Sequence, residues 1–91
     1  MVTLSTKLVF YIPFSHSLKD KRQVRRSIVE KTKHRFNVSI AEVDTQDVLQ
    51  TLTIGLALVS GEHNHAQSSM EEIIRFIEEN INAELIAIEY E

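Results

Sequence analysis

Lys19, Arg22, Arg26 and Lys33 follow one another at intervals of three, four and seven residues. At 100° per residue, that spacing lays four cations along one helical stripe about 60° wide. Such a stripe suits a polyanion, because each cation can meet a phosphate by charge without reading a base. Lys21 and Arg35 belong to the same segment, so the candidate anion-binding set is Lys19, Lys21, Arg22, Arg26, Lys33 and Arg35. Lys19 and Lys21 fall in the first helical turn, where the helix dipole already disfavours cations, so their placement points to an anionic ligand. The competing reading is a solvated charged face.

The surrounding charge sharpens the choice. Eight of the ten Lys and Arg residues lie between Lys19 and Arg35 against only Asp20 and Glu30, a net +6. From Phe36 to Glu91 a single base, Arg75, stands against eleven acids, a net −10. Segregation this complete favours a polyanionic partner over solvation alone, or else an acidic surface that pairs with the basic one. Arg25 falls inside the apolar arc of the same helix. Its stem is expected to pack along the core's edge with its head in water. The sharper alternative is a buried ion pair with an acid such as Glu42.

Other chemistry finds little support. The chain has no Gly-rich phosphate loop, G-x-S-x-G, HExxH or cysteine nucleophile, so no enzyme activity and no cofactor are expected. His63-Asn64-His65 lacks a third ligand, and no metal site is expected. His16 and His34 flank the basic helix, where His34 complements the helix C-terminus. The absence of cysteine suits the cytoplasm, and no apolar run approaches a membrane span.

The elements that must position these residues are legible from periodicity. Residues 1–91 are expected to form one domain. Val2 to Ile12 alternates as a strand with Leu4, Leu8, Phe10 and Ile12 on one side, and Pro13 ends it. Ser17, with Asp20 three residues on, caps a helix from Leu18 to Arg35 whose apolar residues are Leu18, Val24, Ile28, Val29 and Phe36. Asn37 to Val43 is a second strand, followed by a loop from Asp44 to Asp47 longer than a two-residue hairpin turn. The third strand, Leu49 to Ser60, points Leu52, Ile54, Leu56 and Leu58 to one face. A second helix after Gly61 carries the stripe Ala66, Met70, Ile73, Ile74, Ile77 and Ile81, and Ala83 to Tyr90 is the last strand.

This order is that of a ferredoxin-like βαββαβ α+β sandwich, a four-stranded antiparallel sheet with two helices on one face. The sheet's open face would carry Val9, Tyr11, Ala41, Val43, Val59 and Leu85. Only Tyr11 offers a ring for stacking bases, so base recognition on the sheet is not expected. Moderate apolarity fits self-association better, with Tyr11, Val43 and Val59 as the dimer face. Acylphosphatases share this fold and length but need a glycine-rich first loop ending in arginine. Here that loop reads Pro13-Phe14-Ser15-His16-Ser17.

The blocks Ser17-Leu18-Lys19-Asp20-Lys21-Arg22 and Arg35-Phe36-Asn37-Val38-Ser39-Ile40-Ala41-Glu42-Val43 resemble the YlxP-like family of bacterial proteins. The resemblance continues through Asp47 to Gln50 and Ile54 to Ser60. It implies a ferredoxin-like fold in the bacterial cytoplasm and, because members are often encoded beside translation factors, an RNA or ribosome association. It places Lys19, Lys21, Arg22, Arg26 and Arg35 on family-typical basic positions, and Phe36, Asn37, Ser39, Glu42 and Gln50 match as well. The chain departs at Leu49, where the family commonly has tryptophan, and at Arg25 and Thr32, where apolar residues are usual. Two functions are therefore expected as alternatives. One is a non-enzymatic module binding ribosomal RNA or the ribosome through the basic helix. The other is a homodimeric protein-interaction module using the open sheet face, its basic helix docking an acidic protein.

Overall fold

Alternation places Leu8, Phe10 and Ile12 wholly out of solvent, and the rest of the architecture is built against them. The computed structural model describes residues 1–91. Its elements run β1 (Val2–Tyr11), α1 (Leu18–Arg35), β2 (Ser39–Asp44), β3 (Thr51–Ser60), α2 (His63–Asn80) and β4 (Glu84–Tyr90). The strands form one sheet in the order β2-β3-β1-β4, every neighbour antiparallel. Register sets Leu8 opposite Ile54, Phe10 opposite Leu52 and Ile40 opposite Leu56, so the apolar residues of three strands share one face. Ile28 of α1 and Ala66, Met70, Ile73, Ile74 and Ile77 of α2 close over that face in one core of 14 buried residues. The fold is the ferredoxin-like βαββαβ sandwich expected from the sequence. No helix is long and apolar enough to cross a membrane.

Three expectations are corrected. Strand β3 begins at Thr51 rather than Leu49, because residues 45–50 fold into a loop in which the Val48 amide donates to the Thr45 carbonyl at 3.0 Å. Leu85 does not lie on the open face. A bulge in β4 shifts the register between Val9 and Phe10, setting Leu85 opposite Phe10 and against the core. Leu18, assigned to the apolar face of α1, is exposed, while Lys21 and Thr32 are buried there instead.

A second bulge sits in β2, where Val43 is the extra residue between Glu42, opposite Ile54, and Asp44, opposite Thr53. Val43 is accommodated by Gly55, where an added Cβ would lie 2.7 Å from Val43 Cγ1 and 3.2 Å from Cγ2. Gly55 is thus required for space rather than for backbone freedom, since no glycine has positive φ. Gly55→Ala is expected to destabilise by about 1–2 kcal/mol in denaturant unfolding, because the stiff, β-branched Val43 must move. In a double-mutant cycle, Val43→Ala should remove most of that penalty. A neutral Gly55→Ala would show that Val43 does not fix this contact.

Candidate functional site

Helix α1 owes its start to Ser17, whose hydroxyl accepts from the Asp20 amide at 3.1 Å. The Asp20 carboxylate returns the contact one residue earlier than in the usual capping box, accepting from the His16 amide at 3.0 Å. The cap fixes where α1 begins and hence which residues face the sheet. Lys21, Ile28 and Thr32 turn inward, and the Thr32 hydroxyl donates to the Ile28 carbonyl at 2.7 Å.

Lys21 is the unexpected member of that face. Its Nζ lies 2.8 Å from Glu42 Oε2 and donates to the carbonyls of Thr45, Gln46 and Val48. The side chains of Lys21 and Glu42 retain only 3% and 8% exposure, so this is an internal ion pair. Glu42 Oε2 has no hydrogen bond in proper geometry and is held by charge alone. On the carboxylate's other side, Arg25 Nη1 donates to Oε1 at 3.1 Å. Arg25 thus makes the ion pair with Glu42 rather than leaving its head free, though its side chain stays 35% exposed.

Three carbonyls around one ammonium impose a shape on the β2–β3 loop. Thr45 adopts φ 56°, a conformation a β-branched residue resists at a cost of about 1–3 kcal/mol. It is held there by the Val48 amide and Lys21 on its carbonyl, and its hydroxyl lies 2.9 Å from that of Thr53. Gln50 ties the far end of the loop down, its side chain donating to the Pro13 carbonyl at 3.0 Å.

The anion that the first-turn position of Lys21 called for is therefore the protein's own Glu42. Lys21, placed in the anion-binding set by charge, is unavailable to an external phosphate. Its burial was detectable on the helical wheel, where position 21 falls between those of Ile28 and Thr32.

The remaining candidates stay outside. Lys19, Arg22, Arg26 and Lys33 are exposed and form no ion pair, and neither does Glu30 beside them. Lys19 and Lys33 are 14 residues apart, so the stripe runs about 21 Å along the helix. It lies on the side of α1 toward edge strand β2, as Arg25 reaching Glu42 shows. The opposite side meets acidic α2, where Arg35 stacks over Phe76 at 5.2 Å and Phe36 at 5.6 Å from the ring centroids. Those two rings meet edge to face at 5.3 Å. Arg35 is thus anchored by its flat face and makes no hydrogen bond or ion pair within the chain.

Tyr11, Val43 and Val59, the candidate dimer face, are all exposed on the open side of the sheet. They do not form one patch. Tyr11 pairs with Thr51 and Thr3 with Val59, which puts Tyr11 and Val59 at opposite ends of β3, about 26 Å apart. Between them stands Lys7, 3.1 Å from Asp44 and 3.8 Å from Glu91. The hydrogen bond to Asp44 and the charge of that carboxylate raise the Lys7 pKa above its ordinary 10.5. A charged centre divides this face.

Lys21→Met is expected to destabilise by about 3–5 kcal/mol in urea unfolding, because it leaves Glu42 partly unpaired and three carbonyls unmet. Lys19→Met on the outer stripe should change stability by no more than about 0.5 kcal/mol. Equal, small effects at both positions would show that the buried ammonium does not hold the loop.

The family model described as "Protein of unknown function (DUF503)" matches residues 3–90. The chain is 36% identical over 62 residues to "Uncharacterized protein YlxP" of Bacillus subtilis (strain 168), an alignment covering 68% of this chain and 67% of that protein. Among solved structures, a de novo designed protein with ferredoxin fold, determined by solution NMR, superposes with a TM-score of 0.60 at 16% identity. That match spans 100% of this chain and 84% of the other, and its likeness is one of fold.

Proposed function

The chain belongs to the DUF503 family of proteins of unknown function, and we propose that it is a non-enzymatic, cytoplasmic RNA- or ribosome-associated module that binds phosphates through α1. The observation that carries this reading is the row Lys19, Arg22, Arg26 and Lys33, exposed and free of ion pairs in a chain with 13 acids. A protein with so many carboxylates to hand, yet none in an ion pair with these four cations, even Glu30 beside them, keeps them for an anion outside itself. Arg35 stands apart from the row, on the α2 side of the helix. Its guanidinium is braced on the Phe36 and Phe76 rings, so the phosphate row is Lys19, Arg22, Arg26 and Lys33 alone.

Nothing on the stripe reads bases. Its cations contact the backbone, so recognition is by charge and shape. The acidic remainder repels nucleic acid that approaches from any other side, which limits binding to one orientation.

The test is binding of the purified chain to ribosomal RNA and to isolated ribosomal subunits across a salt series. Affinity is expected to fall steeply with salt, and Arg22→Ala with Arg26→Ala should lower the log–log slope by about two units. Each substitution should leave unfolding within about 0.5 kcal/mol of wild type. Affinity retained in the double variant, or no binding at low salt, would overturn the reading.

A further inference from the structure

The loop pinned by Lys21 presents Val48 and Leu49 to water, 46% and 39% exposed. A connection serving only to join two strands needs no apolar side chains at its tip, and holding such a tip rigid adds a second oddity. Here the ammonium of Lys21 bonds the Val48 carbonyl itself, and the Thr45 carbonyl closes on the Val48 amide. Leu18, one turn before Lys21 on α1, is also exposed, at 39%. Lys21 thus ties the first turn of α1, which carries Leu18, to the loop that carries Val48 and Leu49, and all three aliphatic residues are exposed at this end of the molecule.

Their neighbours carry charges of opposite sign. Lys19 adjoins Leu18 in sequence, and Arg22 follows it at i+4, so unpaired cations flank the helix side. Asp47 precedes Val48 on the loop side and is exposed without an ion pair. Three branched aliphatic side chains give no flat surface on which a base could stack. The exposed Asp47 beside them opposes an anionic bilayer. An amphipathic helix of another protein fits both features, its apolar row on the aliphatic residues and an acidic border facing Lys19 and Arg22.

We propose that Leu18, Val48 and Leu49 form a docking ledge for an amphipathic protein helix whose acidic border pairs with Lys19 and Arg22. The ledge is distinct from the phosphate stripe and meets it only at Lys19 and Arg22. Its occupant therefore competes for the first turns of α1 and leaves Arg26 and Lys33 to a polyanion. The test uses no nucleic acid in its main arm, so its failure is separable from failure of the RNA reading.

Isotope-labelled full-length chain would be titrated with a synthetic helical peptide carrying leucines at i, i+3, i+4 and i+7 and glutamates along one border. Saturable shifts are expected at the amides of Leu18, Arg22, Val48 and Leu49. Val48→Ser with Leu49→Ser, which adds no charge, should weaken binding at least about tenfold while ribosomal RNA affinity is unchanged. Leu18→Ser, on the exposed helix surface, supplies a second variant should the loop variant lose its native spectrum. Twin peptides with lysines for the glutamates, or alanines for the leucines, should not bind. No shifts up to millimolar peptide, equal binding of the lysine twin, or binding indifferent to the ledge variants would overturn the proposal. So would single-stranded RNA or anionic phosphatidylglycerol vesicles moving the ledge amides where the acidic peptide does not.

Discussion

The ammonium of Lys21 sits where charge is expensive, inside the layer between α1 and the sheet and near the helix end whose dipole opposes it. What makes the site tolerable is a complete oxygen shell: one carboxylate oxygen of Glu42 and the carbonyls of Thr45, Gln46 and Val48. Each partner comes from a different constraint. The β2 bulge at Val43 leaves Glu42 on the helix side, Gly55 makes room for that bulge, and the β2–β3 loop bends until its carbonyls converge. Thr45 holds a backbone conformation it would otherwise avoid because the convergence requires it. The helix cap at Ser17 enters the same chain of dependence, since the start of α1 sets which residue of the first turn points inward.

Once Lys21 is inside, the charge of α1 divides into two populations. Lys21 and Arg25 are matched to Glu42 and belong to the architecture. Lys19, Arg22, Arg26 and Lys33 have no partner and belong to the surface. The division explains how an acidic protein can carry a concentrated basic face without collapsing it onto its own carboxylates. The acids of α2 lie across the far side of α1, beyond the Arg35, Phe36 and Phe76 stack. The exposed row of unpaired cations follows from this separation.

The fold was legible in the sequence because its signals are local and repeated. Leu8, Phe10 and Ile12 in β1, Leu52, Ile54 and Leu56 in β3, and the α2 stripe from Ala66 to Ile77 each state their period within a few residues. The range of α1 was legible because Ser17 and Asp20 mark its start. What escaped were features set by one extra residue or by distant partners. The bulge in β4 turns Leu85 from the open face to the core, and strict alternation cannot register it. Lys21 was read by its charge although its wheel position lies between Ile28 and Thr32, and its partners, carbonyls 24 to 27 residues away, leave no local signal. The pair between Arg25 and Glu42 was visible as an option because an arginine in an apolar arc needs an acid nearby. The exposed ledge at Val48 and Leu49 was not, since the loop's shape depends on the ammonium.

Heteronuclear NMR of the lysine side-chain ammonium groups at neutral pH tests the buried shell most directly. The Lys21 ammonium is expected to give a sharp signal with slow hydrogen exchange, while those of Lys19 and Lys33 are broadened by exchange with water. A Lys21 ammonium exchanging as fast as that of Lys19 would contradict this, and the pinned loop with its ledge would fall with the shell.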